Sequence, residues 1–223
     1  MKQKIFKACK WFFDSYIWLG LLFLVADVVS KNIIVQNQDN IRPDGVVLIP
    51  NFLRVNYIIN KNIVFGWDVF KNADANRIVF VVVALLVVAG ILFYMIRKWD
   101  KINKFYKACM FMIIAGALGN CIDRLFYSAS YLNYLDPSTG KYITGVVDWI
   151  DFYGVWQFNF NVADIAVVVA AFMLIIYMIV MEIVDYRKKK KLEPKKVSDN
   201  TKVVSKTEQE KNKYLSESNN KDE

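Results

Sequence analysis

The chain has 223 residues, 56% of them hydrophobic, with a mean hydropathy of +0.25 and a formal net charge of +8. That is too apolar for an ordinary soluble domain, and the cations stand in short blocks beside apolar runs and in the tail, a membrane-orientation pattern that argues against a nucleic-acid partner. Histidine is absent, which excludes Ser-His and Cys-His nucleophilic pairs and His-containing zinc sites, so no metal or cofactor is expected.

Cys9, Cys109 and Cys121 form no CxxC pair and no disulfide framework; the latter two lie in an apolar run and read as small core residues. The first apolar run, about 12–34, follows Lys2, Lys4, Lys7 and Lys10. It is too long for the core of a cleaved signal peptide, and no A-x-A-like site follows it, so it reads as a retained transmembrane helix. Residues 36–76 are mixed. Asn, Asp, Pro and Gly punctuate short β-like runs at 46–49 and 55–59, which predicts a small strand-rich extramembrane subdomain.

Residues 77–96 are almost wholly aliphatic and give the clearest span. A short loop crowded with Arg97, Lys98, Lys101, Lys104 and Lys107 leads to a third span, 106–126. Residues 127–160 form a second long loop with a turn signal at Asp136-Pro137-Ser138-Thr139-Gly140. A fourth span covers 161–184, and a Lys-rich tail at 186–223 lacks apolar periodicity and is expected to be disordered and cytoplasmic. The fold class is therefore an α-helical polytopic membrane protein, with a four-span body at 1–185 and a small strand-rich extracytoplasmic subdomain. Short segments rich in Lys and Arg stay cytoplasmic. This puts both termini inside and both long loops, 36–76 and 127–160, outside.

That topology carries separated polar groups to one depth. Asp27 and Lys31 approach the outer end of the first helix; Asn120, Asp123 and Arg124 end the third; Asn161 and Asp164 begin the fourth; Asp148 lies in the loop between. Asp27 and Lys31 are i,i+4 and able to pair, while Asn120 shares a helix face with Asp123 and Arg124. Asn161 reads as an N-cap as well as a site residue. Ionisable groups at membrane depth are costly and are usually paired or functional. With no histidine, carboxylates are the available acid–base groups. Two close carboxylates share a proton; one acts as base on water while the other polarises a carbonyl, which is peptide hydrolysis. The residues themselves do not choose the pair among Asp27, Asp123, Asp148 and Asp164.

The chain resembles the bacterial lipoprotein signal peptidases (signal peptidase II), membrane aspartyl proteases of prolipoprotein maturation. The resemblance covers roughly 10–185. It rests on Asp27-Val28-Val29-Ser30-Lys31, Asn60-Lys61-Asn62-Ile63-Val64-Phe65-Gly66, Gly116-Ala117-Leu118-Gly119-Asn120-Cys121-Ile122-Asp123-Arg124, Val146-Val147-Asp148-Trp149-Ile150-Asp151-Phe152, and Phe158-Asn159-Phe160-Asn161-Val162-Ala163-Asp164. It implies a catalytic dyad of Asp148 and Asp164. It also implies substrate-binding or supporting roles for Gly116, Asn120, Asp123, Arg124, Asn161, Asn60, Asp27 and Lys31, and a strand-rich cradle on the membrane surface. The implied reaction cleaves on the amino side of a diacylglyceryl-modified cysteine, with membrane lipid as a partner and inhibition by globomycin-type peptides. The chain departs from the family pattern at Asn62, Val64 and Trp149, and in a longer interval between Arg124 and Asp148.

Three other readings compete. A serine peptidase would use Ser30 and Lys31, but adjacent helical residues point about 100° apart. A carboxylate-relay transporter would need charges spread through the bilayer depth. A structural scaffold would leave the clustered carboxylates unexplained.

Overall fold

The structure is a computed structural model and describes residues 2–61, 73–137, 139–188 and 190. Its helices are α1 (Lys2–Ser15), α2 (Ile17–Gln36), α3 (Gln38–Ile41), α4 (Ala73–Lys98), α5 (Lys104–Phe126), α6 (Ala129–Leu132) and α7 (Val162–Lys188). Its strands are β1 (Val46–Ile49), β2 (Leu53–Asn60), β3 (Val146–Asp151) and β4 (Asn159–Phe160). Two compact units result, Met1–Leu174 and Ile175–Glu223; within the second, the described residues continue α7 to Lys188. The tail expected to be disordered lies, beyond residue 190, outside the described residues, as do residues 62–66 of the Asn60 segment and the following 67–72.

Four helices, α2, α4, α5 and α7, are long and apolar enough to cross a membrane, at 20 to 27 residues each. About 20 residues suffice for a hydrocarbon core near 30 Å. Their outward residues, such as Leu86 and Phe93 on α4 and Phe172 on α7, are exposed. That is the pattern of helices that meet lipid and satisfy their own backbone bonds.

The continuous helix expected over 12–34 is interrupted. Tyr16 adopts a left-handed conformation at φ 64°, and the Ser15 hydroxyl donates to the Phe12 carbonyl at 2.7 Å. α1 thus becomes a separate helix, and the span begins at Ile17.

Close packing of the spans depends on small residues, as lipid offers little hydrophobic drive for helix association. A Cβ on Gly116 would stand 2.5 Å from the Ala163 carbonyl oxygen and 2.5 Å from Val167 Cγ2; one on Gly119 would stand 2.5 Å from Asp27 Oδ2. Ala163, Ala166 and Ala170 on α7 are buried against this seam. The glycines of α5 therefore let α2 and α7 close around it.

The four strands form one antiparallel sheet in the order β1-β2-β3-β4. It draws on both long loops, since β3 pairs with β2 across the register Ile58↔Asp148 and Asn60↔Val146. Arg54 on β2 locks this pairing, donating from Nε at 2.8 Å to Asp151 Oδ2. A core of Ile34, Val35, Tyr57, Ile59, Leu132 and Val147 fastens the sheet to the end of α2. The turn predicted at Asp136 is present: the Gly140 amide donates to the Asp136 carbonyl at 2.8 Å, and Lys61 pairs with the Asp136 carboxylate at 2.7 Å.

Candidate active site

The site lies where the last turn of α5 and the first turn of α7 meet the sheet. Asn161 begins α7. Its Oδ1 accepts from the Asp164 amide at 2.9 Å, while Asp164 Oδ2 accepts from the Asn161 amide at 3.2 Å. This reciprocal pair satisfies donors that a helix start leaves open. Because Asn161 is the cap, the position of Asp164 is set by the helix itself.

Asn161 is also fully buried, and its Nδ2 donates to Asp148 Oδ1 at 2.7 Å. Asp148 Oδ2 accepts from Asn60 Nδ2 at 3.0 Å. Asn60 reaches it diagonally, because Asn60 lies two residues beyond Ile58, which faces Asp148 on the neighbouring strand. Asp148 and Asp164 thus hang from one residue, Asn161. Asp148 is only 3% exposed. Its carboxyl is pushed up to about 7, first by burial and second by the neighbouring charge of Asp164; the amides of Asn60 and Asn161 pull it partly back down.

Behind this pair stands a buried charge cluster. Lys31 Nζ is 2.7 Å from Asp27 Oδ2 and 3.0 Å from Asp123 Oδ2, all three side chains fully buried. It also donates to Asn120 Oδ1 at 3.0 Å, and Asn120 Nδ2 donates to Asp164 Oδ1 at 2.9 Å. Asn120 is therefore the link between the lysine and Asp164, and its amide orientation is fixed by both neighbours. The cluster holds the backbone too: Asp27 Oδ1 accepts from the Ala163 amide at 2.8 Å, and Asp123 Oδ2 from the Val147 amide at 3.0 Å. Asp27 so positions the start of α7, and Asp123 positions the strand that carries Asp148.

Arg124 donates to the Asn120 carbonyl at 3.3 Å, and its guanidinium is 5.3 Å from the Phe80 ring. Arg77 donates to the carbonyls of Arg124 and Leu125, closing the end of α5. Beside it an apolar hollow of about 370 Å³ is lined by Arg77, Ile78, Val81, Val82 and Leu125.

Of the residues singled out in the sequence, Asp148, Asp164, Asn161, Asn60 and Asn120 form one hydrogen-bonded network. Asp27, Lys31 and Asp123 form the cluster behind it, and Gly116 is a packing position between α5 and α7. Sequence reasoning missed Arg77, Gly119 as a contact to Asp27, and the two backbone donors, Val147 and Ala163. Ser30 is not poised as a nucleophile, since its hydroxyl donates back to the Asp27 carbonyl at 2.9 Å and Lys31 is committed to the charge cluster.

Chemically, the arrangement offers two carboxyl groups with fixed oxygens, one shared amide between them, and a hydrogen-bonded path from one of them to a buried ammonium. Residues 19–180 match the family model described as Signal peptidase (SPase) II. The chain is 31% identical over 163 residues to the lipoprotein signal peptidase of Fusobacterium nucleatum, covering 72% of this chain and 84% of that one. It is 31% identical over 167 residues to that of Clostridioides difficile, covering 75% and 96%. A solved structure described as a bacterial membrane enzyme is similar in fold, with a TM-score of 0.56 and 24% identity over 74% of this chain and 87% of the other.

Proposed function

The chain belongs to the signal peptidase II family, and on that premise we propose that it is a multi-pass membrane aspartyl endopeptidase. It removes signal peptides from prolipoproteins by cleaving on the amino side of a diacylglyceryl-modified cysteine. The observation that carries this reading is that Asp148 and Asp164, from separate segments of the chain, are both hydrogen-bonded to Asn161.

In the proposed reaction the pair holds one proton between two carboxyl groups. The ionised member takes a proton from a water molecule, and the resulting hydroxide attacks the scissile carbonyl carbon. The protonated member gives its proton to the carbonyl oxygen. When the tetrahedral intermediate collapses, one of its hydroxyls gives its proton to the ionised member as the C=O re-forms, the C–N bond breaks, and the amine of the lipid-modified cysteine leaves with the proton of the other member, so the pair again holds one proton. The titration near neutral pH belongs to the pair jointly. Asn60, Asn120 and Asn161 keep the carboxyl oxygens aimed, and Arg124 stands beside them to hold the substrate backbone. The apolar hollow by Arg77 and Val81 suits an acyl chain of the substrate.

The positive block at the end of α4 and the start of α5 supports an orientation with both termini in the cytoplasm of a bacterial cell and the site at the outer face of its plasma membrane. Globomycin-type peptides would inhibit by occupying the same site. The test compares a diacylglyceryl-modified precursor with its unmodified counterpart. Cleavage of the modified form alone supports the reading; cleavage of neither, or of both equally, overturns it.

A further inference from the structure

α1 lies outside the residues that match the family model and takes no part in the site. Phe6, Cys9 and Phe13 fall at i, i+3 and i+7 and so share one face; Lys7, Lys10 and Asp14 share another. Among the described residues Phe13 touches only its near neighbours Phe12 and Trp18, and the face stays open, with Phe6 72% and Phe13 62% exposed. Such a helix, with a cationic stripe about 100° round from its apolar one, fits a water–lipid boundary, where lysines beside a buried face reach to the headgroups.

Two features say what covers that face. The first is continuity with a span: α1 runs into α2 across Tyr16 alone, and Tyr16 and Trp18 stack at the junction 6.5 Å apart, while the Trp18 indole donates to the Phe13 carbonyl at 3.2 Å. Amphipathic aromatics gather at the headgroup level. The second is charge. α1 is held against the α4–α5 connection by Trp11 stacked on Trp99 at 6.1 Å and by Lys104 paired with Asp14 at 3.1 Å. Lys7 and Lys10 thereby join Arg97, Lys98, Lys101, Lys104 and Lys107 at one end of the bundle, where Asp14 and Asp100 are the facing acids.

We propose that α1 is an interfacial helix that seats Phe6 and Phe13 among lipid chains and binds anionic phospholipid headgroups through Lys7 and Lys10, at the end of the bundle opposite the sheet. Cations near an anionic bilayer surface each change the docked population by about fivefold.

Cys9 provides the probe, being exposed on the apolar face while Cys109 and Cys121 are buried. The full chain carries a nitroxide on Cys9 and is placed in nanodiscs of phosphatidylcholine with or without phosphatidylglycerol; a C9S variant checks that labelling is confined to this position. The label should be open to oxygen and shielded from a water-soluble nickel chelate in the anionic discs. It should lose that shielding in the neutral discs, on adding salt to the anionic ones, and in K7E/K10E. The salt titration uses the wild-type sequence, so it stands even if the variant folds poorly. A label equally open to nickel in both compositions overturns the proposal. So does shielding indifferent to lipid charge and salt, or spin–spin broadening that reports a second copy of the chain on this face.

Discussion

Asn161 donates its side-chain amide to Asp148 at 2.7 Å while its side-chain oxygen caps the helix that begins with Asp164. One residue therefore sets the helix start and the relation of the two carboxyl groups. Asn161→Ser keeps an N-capping oxygen and loses the amide to Asp148. Asn161→Ala loses both, and loss of a cap costs about 1 kcal/mol. Thermal unfolding in detergent should separate them: the Ser variant melts close to the wild type, the Ala variant lower, and both cleave precursor far more slowly.

The raised carboxyl of Asp148 makes stability depend on pH. An ordinary aspartate sits at 3.8, and burial with the nearby Asp164 holds this one up to about 7. A raised acid binds its proton more tightly in the fold than in the unfolded chain. Its stabilising contribution is complete below the ordinary value and is lost as pH rises through the folded one. Asp148→Asn should therefore flatten stability across that window and melt above the wild type on its alkaline side, one flanking amide turning over to accept. A melting curve of the variant that tracks the wild type at every pH would refute this.

Gly119 and Gly116 should not tolerate a methyl group. In Gly119→Ala the new Cβ meets Asp27 Oδ2 at 2.5 Å, and in Gly116→Ala it meets the Ala163 carbonyl oxygen at 2.5 Å. Overpacking of this kind costs about 1–3 kcal/mol. Gly90 on α4 is the internal control, since nothing stands within 4 Å of its Cβ position. Gly90→Ala should leave the melting temperature unchanged or raise it.

Lys31 is the shared cationic partner of two fully buried carboxyl groups, Asp27 and Asp123. Breaking a buried ion pair from one side costs about 3–5 kcal/mol, because an uncompensated charge stays behind. Lys31→Met should therefore fail to accumulate or melt far lower, whereas a general loss of activity with normal stability would show that the cluster is not structural.

Much of this was legible in the sequence for identifiable reasons. Asn161-x-x-Asp164 is a cap pattern that needs only local geometry, and Asp27 with Lys31 is an i,i+4 pair. Helix direction alone brings α2, α5 and α7 to deliver their polar groups at one end. What was not legible depends on partners distant in the chain. The amides of Val147 and Ala163 carry no side-chain signal, yet they fix Asp123 and Asp27. β3 is buried on both faces, so its residues lack the alternation that marks a strand. The break at Tyr16 rests on a left-handed tyrosine, a conformation no motif announces.

The most direct measurement is cleavage of a purified diacylglyceryl-modified precursor by the wild type, Asp148→Asn and Asp164→Asn, each checked for insertion and a cooperative melt. Positioned acid–base groups contribute about 10²–10⁴-fold. The account predicts that each variant loses at least about a hundredfold of activity while remaining folded in the membrane. Full activity in either folded variant would contradict it.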